Sequence, residues 1–331
     1  MAAGRILVVK LSSLGDVLHA LPTVAELRDG LGAHVDWAVQ PAFAPLVERF
    51  LCVDRVLCVP RPSQLGAFLH SLRALRAERY DLVVDLQGLL KSAVVAAAAR
   101  CPRVIGPSFH REGSRLFYSA VAGRRNRERH AIDECFDVLR FLGLPVPERP
   151  RFPMDVPSVD PDALAPELAA LPGPRIAVAP FSRWTSKNWP AARFSEAIRL
   201  LRDRCGARVY LIGGPGDRDG AQAIADAAGA PAANLCGRLS LIESAGLLSH
   251  CSALLTNDSG PMHLAVALGV RCVAPFGPTA AERTGPYGPG HAVLRAPCPK
   301  APCRRRVCPL GTGACLAGVS AERAVDALLA P

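Results

Sequence analysis

The fold is decided by the stretch Arg5-Ile-Leu-Val-Val-Lys-Leu-Ser-Ser-Leu-Gly-Asp16 at the start of the chain. Its first half is an unbroken apolar run, which is typical of a strand buried on both faces of a parallel sheet. Small polar residues follow as a turn, and helical spacing of apolar residues runs from Val17 to Leu27. A buried strand that leads through a short turn into a helix begins a βαβ unit, so the sequence predicts an α/β protein.

The same alternation continues through the first half of the chain and restarts in the second. Strands are predicted at 35–39, 55–59, 82–85 and 104–105, and then at 175–179, 208–213, 253–256 and 272–275. Helices are predicted at 65–79 and 91–100, and then at 191–204, 220–228, 260–268 and 320–329. Ser320 is the predicted N-cap of the last helix.

Between the two halves, nine prolines from Pro145 to Pro174 indicate a linker, with one strand near 152–156. Proline neither continues a helix nor donates a hydrogen bond to a sheet. For 331 residues we therefore predict two Rossmann-like domains, 1–150 and 175–331, joined by a Pro-rich linker over 151–174. Ligands of such sheets bind at the carboxyl ends of strands where the strand order reverses, so the functional site is expected in a cleft between the domains.

The composition excludes several classes of protein. With 50% hydrophobic and 21% charged residues, the chain is neither disordered nor a coiled coil. It has no apolar run of about 20 residues, and its start becomes polar too early for a signal peptide, so a cytoplasmic protein is expected. A formal net charge of +10 favours an anionic partner such as a nucleic acid, a phosphorylated small molecule or an acidic lipid surface. Only 5% of residues are aromatic, which argues against nucleic acid because few side chains can stack on bases.

The twelve cysteines fall into two groups. Eight lie scattered between Cys52 and Cys272, mostly in apolar runs, and are predicted to be buried thiols of a protein in a reducing compartment. The other four are close together near the end of the chain: Cys298, Cys303, Cys308 and Cys315. Zinc or an iron–sulfur cluster, free thiols and local disulfides all remain open for them, but the spacing matches no common zinc finger, so no metal site is predicted.

Three predicted strand-to-helix turns carry polar side chains. The first contains Ser12, Ser13, Gly15 and Asp16, where glycine permits close approach of the backbone and the serines offer hydroxyl and N–H groups. Asp16 stands near a helix N-terminus, so it either caps that helix or presents a carboxylate to a ligand. The turn lacks the GxGxxG pattern of dinucleotide-binding proteins.

The other two turns lie in the second half. Asp258, Ser259 and Gly260 lie at the start of an apolar helix and leave free N–H groups there as an anion site, although Asp258 or Ser259 could equally be a simple cap. His263, at the fourth helical position, either faces the same site or belongs to the core. The segment 182–190 adds Ser182 as a hydroxyl donor and Lys187 as a cation for phosphate.

Further polar groups are candidates in the first half. Gln87 and Lys91 follow the strand that ends at Asp85, and Arg61 follows the strand before that. Much of the basic surplus is contributed by Arg61, Arg103, Arg111, Arg115, Arg124, Arg125, Arg127 and Arg129, each of which is ordinarily a solvated side chain. The pair Asp217 and Asp219 lies among Gly and Pro, which favours a surface turn over a metal site.

The chain resembles the ADP-heptose:lipopolysaccharide heptosyltransferases of glycosyltransferase family nine nearly end to end. The resemblance is carried by ILVVKLSSLGDVLHALPTV, YDLVVDLQGLLKSA, SKNWP, LIGGPGD and TNDSGPMHLAVALGV followed by FGPT, in that order. The first two segments look most similar to the heptosyltransferase I branch, which adds the first heptose to the Kdo of the lipid A inner core. The resemblance implies a GT-B fold, with the acceptor bound by the first Rossmann-like domain and the sugar nucleotide by the second.

The resemblance also implies roles for individual residues. Asp16 would be the base that deprotonates the acceptor hydroxyl. Donor binding would fall to Ser182, Lys187, Asp258, Ser259, Gly260 and His263, and acceptor binding to Ser12, Ser13, Gly15, Arg61, Gln87 and Lys91. Inverting transfer needs one carboxylate on the acceptor side, while the leaving diphosphate needs cations and N–H donors.

The predicted partners are ADP-heptose, a lipid A–Kdo acceptor and the anionic cytoplasmic face of the inner membrane, with no nucleic acid and no resident cofactor. Three alternatives stay open: a family-nine transferase for another acceptor such as heptosyl-Kdo, a UDP-sugar epimerase of GT-B architecture, and a basic protein without enzymatic activity that binds nucleotides or nucleic acid.

Overall fold

The computed structural model describes residues 4–126 and 128–330. The chain divides between Asp155 and Val156 into two units, and each unit contains a six-stranded sheet in which every neighbouring pair is parallel. The α/β class predicted from the alternation of apolar runs and helical patterns is therefore confirmed.

The first unit has the sheet order β3-β2-β1-β4-β5-β6. Its strands are β1 (Arg5–Val9), β2 (His34–Val39), β3 (Arg55–Cys58), β4 (Leu82–Asp85), β5 (Val104–Pro107) and β6 (Ala120–Ala122). Its helices are α1 (Leu14–Leu31), α2 (Ala44–Val47), α3 (Leu65–Ala77), α4 (Leu90–Ala98), α5 (Ala131–Cys135) and α6 (Asp137–Leu142). The order reverses between β1 and β4, so a ligand site is expected at the carboxyl ends of these two strands.

Strand β1 is central because it is apolar on both faces, with Ile6 to Val9 fully buried. Helix α1 begins at Leu14, three residues before the predicted start at Val17. The reason is a cap: Asp16, the third residue of the helix, accepts the backbone N–H of Ser13 and so holds the first turn in helical form.

The second unit repeats the arrangement with the sheet order β12-β11-β10-β7-β8-β9. Its strands are β7 (Arg175–Ala179), β8 (Arg208–Leu211), β9 (Ala232–Asn234), β10 (Ala253–Thr256), β11 (Arg271–Pro275) and β12 (Ala292–Leu294). Its helices are α7 (Pro161–Leu164), α8 (Pro166–Ala169), α9 (Ala191–Cys205), α10 (Arg218–Ala228), α11 (Leu241–Ser249), α12 (Gly260–Ala267), α13 (Ala281–Thr284), α14 (Ala314–Ala317) and α15 (Ala321–Leu329). Counted from the first strand of each unit, the two strand orders are the same.

The end of the chain belongs to the core of the second unit. Helix α15 packs on the sheet through Ala324, Val325 and Leu328, and the buried Trp189 donates its indole N–H to Val319 O at 3.0 Å. The Ser320 hydroxyl accepts the N–H of Arg323 at 3.2 Å, which confirms Ser320 as the N-cap.

The Pro-rich segment 151–174 is divided between the units. Met154 forms a bridge with Phe50 in the first unit, whereas the following residues include α7 and α8 of the second unit. There Asp162 pairs with Arg175 and with Arg208, both at 3.1 Å. Proline at the first position of each short helix fits because the missing N–H would have no intrahelical partner there.

In residues 4–126 and 128–330, no helix combines the length and the apolar character needed to cross a lipid bilayer.

Candidate active site

The first candidate site is the Lys10–Ser13 loop, which connects β1 to α1 at the carboxyl edge of the first sheet. The Trp37 indole N–H donates to Lys10 O at 3.2 Å. The Lys10 ammonium is buried and donates to Leu86 O at 2.6 Å, in the loop that follows β4. The loop is thus bound both to β2 and to the segment that follows β4, the two strands on either side of β1.

Gln87 provides a third attachment. Its Oε1 atom accepts the backbone N–H groups of Leu11 and Ser12, each at 3.1 Å. Ser12 and Gln87, both expected to bind the acceptor, are therefore brought together, but through the loop backbone. A side-chain oxygen bound to two main-chain N–H groups leaves no pattern in the sequence, which is why sequence reasoning missed this contact.

Asp16 is half-buried in the first turn of α1, next to the buried Gly15. Its Oδ2 atom accepts the N–H of Ser13 at 2.9 Å and the Ser13 hydroxyl at 2.8 Å. The structure therefore contains the capping interaction that the sequence left open. Capping and general-base chemistry are compatible, because an ionised carboxylate has about four acceptor sites on its two oxygens.

A buried network lies behind this loop. Asp85, at the end of β4, is fully buried and accepts the hydroxyls of Ser92 at 2.8 Å and Tyr118 at 2.7 Å. Burial raises the pKa of Asp85, while the hydrogen bonds to Tyr118, Gln87 N, Gly88 N and Ser92 oppose that shift. Tyr118 was not among the predicted residues, because it lies 33 positions from Asp85 and has no local motif.

The remaining candidates of the first unit lie on other loops at this edge. Arg61 is exposed after β3, and Lys91 is half-buried in the first turn of α4. Arg111 and Arg115 are exposed after β5. Arg129 is different: its guanidinium binds Asp137 through two N–H groups, so it is not the freely solvated cation that the sequence suggested. Arg127 lies outside the described residues.

The second candidate site surrounds the start of α12 at the carboxyl edge of the second sheet. Asp258 is nearly buried, and its Oδ2 atom accepts the Thr279 hydroxyl at 2.6 Å. The Lys187 ammonium lies 2.7 Å from the same oxygen and 5.0 Å from the centre of the Trp184 ring. Two predicted donor-binding residues are thus joined as an ion pair, and Thr279 is an addition that the sequence did not indicate.

Ser182 shapes the loop that carries Lys187. Its N–H and its hydroxyl donate to Asn188 Oδ1 at 2.9 and 2.8 Å. Asn257 joins this loop to the strand end: its Oδ1 accepts the N–H of Trp189 at 2.8 Å, and its Nδ2 donates to Pro180 O at 2.6 Å. These bonds place Lys187 beside the first turn of α12.

Ser259 is the N-cap of α12, and its hydroxyl lies 3.2 Å from the Thr256 hydroxyl. Gly260 is the first helical residue and His263 the fourth, half-buried. No acidic residue occupies the first turn of this helix. The positive end of the helix dipole therefore acts together with the ammonium of Lys187, which is a favourable environment for phosphate oxygens.

The twelve cysteines are all free thiols in the described chain. Five of the eight scattered ones are buried as expected, but Cys58 is exposed because it ends the edge strand β3. Among the four close to the C-terminus, Cys303, Cys308 and Cys315 line a cavity of about 290 Å³ beside Ser186. Over residues 4–126 and 128–330, no three His, Cys, Asp or Glu side chains are grouped to hold a metal ion.

The pKa values of Cys308 and Cys315 are shifted in opposite directions. Backbone N–H groups that point at the Cys308 sulfur, with Gly313 N at 3.4 Å, lower its pKa. Burial, and to a smaller extent the nearby thiols, raise the pKa of Cys315.

The Asp217 carboxylate accepts the N–H of Gly214 at 2.8 Å, which agrees with the predicted turn at that segment.

Residues 69–313 match the family model described as glycosyltransferase family 9 (heptosyltransferase). The chain is 31% identical to lipopolysaccharide heptosyltransferase 1 of Pseudomonas aeruginosa over 321 residues, covering 92% of this chain and 87% of that protein. It is also 31% identical to lipopolysaccharide heptosyltransferase 1 of Escherichia coli K12 over 317 residues, covering 88% and 94%.

The structure is similar to that of the E. coli heptosyltransferase WaaC solved with ADP. The TM-score is 0.77 at 28% identity, and the alignment covers 96% of this chain and 97% of WaaC. This similarity, together with the two parallel six-stranded sheets, establishes the GT-B fold class. The family match and the identity to two curated relatives lead to one conclusion: the chain belongs to glycosyltransferase family 9, the heptosyltransferases, and is an enzyme of the transferase class.

Proposed function

We propose that this heptosyltransferase moves a heptose from ADP-heptose to the Kdo of a lipid A inner-core acceptor, with inversion at the anomeric carbon. The observation that carries the proposal is the Asp16 carboxylate, held by Ser13 at the carboxyl edge of β1. It is supported by the names of the two relatives and by the nucleotide in the solved WaaC structure. In the proposed reaction, ADP is the leaving group, and the scheme includes no resident cofactor.

In the proposed reaction, Asp16 takes the proton of the acceptor hydroxyl as that oxygen attacks the anomeric carbon. The bond between this carbon and the oxygen of the β-phosphate breaks, and its electron pair leaves with ADP. One carboxylate is sufficient for this chemistry, since the leaving diphosphate does not need a proton from a second acid.

On the donor side, the proposal assigns the diphosphate to Lys187 and to the positive N-terminal end of α12. Lys187 is paired with Asp258 at 2.7 Å in the ligand-free chain. A diphosphate carries more negative charge than one carboxylate and adds acceptors for the helix N–H groups, so it competes for the ammonium. Thr279 continues to hold Asp258 through its hydroxyl when Lys187 turns to the phosphate.

The proposed acceptor is a membrane lipid with phosphates and carboxylates in its head group, so the proposal includes peripheral association with the cytoplasmic face of the inner membrane. Support comes from the net charge of +10 and from exposed cations after β3 and β5, namely Arg61, Arg111 and Arg115. Lys91 and the exposed Arg124 and Arg125 extend this set. The interaction is electrostatic, and the low aromatic content supports lipid over nucleic acid.

Product analysis tests the proposed activity. The purified chain is incubated with ADP-heptose and Kdo-lipid A, and mass spectrometry is expected to show one added heptose and an equal amount of ADP. Heptosyl-Kdo-lipid A serves as the second acceptor in a parallel reaction. Addition only to that acceptor would assign the enzyme to a later step of core assembly, and turnover of a UDP-sugar without an acceptor would contradict the proposal.

A further inference from the structure

We propose that Gln87 is a positioning residue for Asp16, and that the buried pair of Asp85 and Tyr118 holds Gln87 in that position. The catalytic part of this inference rests on the proposed function, whereas the hydrogen bonds that carry it do not. It assigns to Gln87 a task other than the acceptor contact expected from the sequence.

Gln87 contacts the loop between β1 and α1 directly. Gln87 Oε1 accepts two N–H groups, from Leu11 and Ser12, at 3.1 Å each. Ser12 directly precedes Ser13, whose N–H and hydroxyl both bind Asp16. A displacement of residues 11–12 therefore also moves Ser13, one peptide unit further on, and Ser13 orients the Asp16 carboxylate.

The turn that carries Gln87 is held by the Asp85 carboxylate. Asp85 Oδ1 accepts the N–H of Gln87 at 2.7 Å and the N–H of Gly88 at 3.1 Å. Gly88 has a φ of +70°, and a Cβ atom there would lie 2.8 Å from Pro107 Cγ. The turn is thus confined to one shape, and that shape directs the Gln87 side chain to the loop.

Asp85 is itself held in place by two hydroxyl groups. Asp85 is fully buried, and its Oδ2 atom accepts the Tyr118 hydroxyl at 2.7 Å and the Ser92 hydroxyl at 2.8 Å. A buried carboxylate with hydrogen bonds on both oxygens has no rotational freedom, because each rotamer change would leave donors unsatisfied in the interior. The Tyr118 hydroxyl therefore fixes Asp85 through Oδ2, while Oδ1 of the same carboxylate holds the turn that carries Gln87.

The same unit contains a second tyrosine–aspartate pair, which matches Tyr118 and Asp85 but makes no contact with Gln87. The Tyr80 hydroxyl donates to Asp36 Oδ2 at 2.7 Å, and Asp36 is also fully buried. Asp36 binds Arg5 at the amino end of β1, away from the carboxyl end where the Lys10–Ser13 loop begins. Loss of either tyrosine hydroxyl should cost similar stability, but only loss of the Tyr118 hydroxyl should disturb Asp16.

The test compares Gln87→Met, Gln87→Glu, Tyr118→Phe and Tyr80→Phe in the full chain. Gln87→Met keeps the side-chain length and removes the acceptor oxygen, so kcat should fall by about 10²-fold while KM for ADP-heptose is unchanged. Gln87→Glu retains an acceptor for the two N–H groups and should restore most of the turnover. Tyr118→Phe should lower kcat by about tenfold, and Tyr80→Phe should lower only the melting temperature.

A second measurement does not depend on activity. Hydrogen exchange at the Leu11 and Ser12 amides should accelerate in Gln87→Met and Tyr118→Phe, and should match the parent chain in Gln87→Glu and Tyr80→Phe. If those amides stay protected in Gln87→Met, or if they exchange faster while kcat is unchanged, the inference is wrong. If kcat falls equally in Gln87→Glu and Gln87→Met while the Leu11 and Ser12 amides stay protected, the side-chain amide of Gln87 contacts the acceptor instead. Absence of heptose transfer by the parent chain would overturn the proposed function and leave the exchange result to decide the network.

Discussion

Helices α1 and α12 both begin where a central strand of a parallel sheet ends, yet their first turns differ in charge. In α1, Asp16 accepts the N–H and the hydroxyl of Ser13. In α12, the first turn has no acidic residue, and the hydroxyl of Ser259 is directed to Thr256. The acid nearest to this helix, Asp258, is bound instead to Lys187 and Thr279.

The difference separates two kinds of chemistry on one fold. An acid inside the first turn neutralises the positive end of α1, so this helix disfavours an external anion and presents the carboxylate that we propose as the base. Helix α12 has no acid in its first turn, so the positive end of its dipole stays available to an anion, and the Lys187 ammonium lies beside it. Two sheets with the same strand order can therefore serve a hydroxyl acceptor and a diphosphate donor.

The largest effect is expected at α1. Asp16→Ala should lower turnover by about 10²–10⁴-fold, the usual contribution of a general base, with ADP-heptose affinity unchanged. Asp16→Asn keeps an acceptor oxygen for Ser13. It should therefore lose as much turnover as Asp16→Ala, but its free energy of unfolding should exceed that of Asp16→Ala by about 0.5–2 kcal/mol, the usual contribution of a helix cap. Single-turnover rates, donor titration and thermal unfolding are the measurements. Normal turnover of the bound complex in Asp16→Asn would restrict Asp16 to capping.

A smaller effect is expected at α12. Lys187→Ala should weaken ADP binding by about 10–100-fold, since a hydrogen bond to a charged group contributes about 1.5–3 kcal/mol. Adenosine binding should be unchanged because the ammonium faces phosphate and not the base or ribose. Isothermal titration of both ligands measures this, with Lys300→Ala as the control for an exposed lysine of the same unit. Equal losses for ADP and adenosine would place Lys187 elsewhere in the donor site.

The smallest effect concerns the surface of the unit that contains α1. Replacing Arg111 and Arg115 with Gln should reduce binding to anionic vesicles, because each cation contributes about 1 kcal/mol near such a surface. Replacing Arg238 and Arg305, which are exposed on the other unit, should have less effect. Co-sedimentation at about 0.1 M and about 1 M salt is the measurement, as the screening length falls from about 10 Å to about 3 Å. Salt-resistant binding to neutral vesicles would contradict an electrostatic attachment.

The fold was predictable because its central strands are buried on both faces. The apolar runs at β1, β4, β7 and β10 coincide with the predicted strands. The strands that were not predicted, β6, β9 and β12, have three residues each, too few for a periodic pattern. The early start of α1 was missed for another reason, since the cap by Asp16 outweighs the apolar spacing that begins later.

The site was predictable in part. Asp16, Lys187 and Asp258 lie in motifs at strand ends, where the topology alone brings polar residues to the sheet edge. Asp85 and Tyr118 are far apart in the chain and meet only in the folded core, so no local pattern connects them. Gln87 was recognised as a polar residue at the right edge, but its bonds to backbone N–H groups depend on the shape of a neighbouring loop.

Trp184 gives the proposed donor site an optical property. The chain has three tryptophans, and Trp37 and Trp189 are fully buried, whereas Trp184 is half-exposed with Lys187 at 5.0 Å and Arg306 at 5.3 Å from its ring centre. Indole emission responds to the position of nearby charge, so a diphosphate that draws Lys187 away from the ring, as we propose, should alter the fluorescence of this one residue. We therefore expect that intrinsic emission reports nucleotide occupancy, with no label attached to the protein.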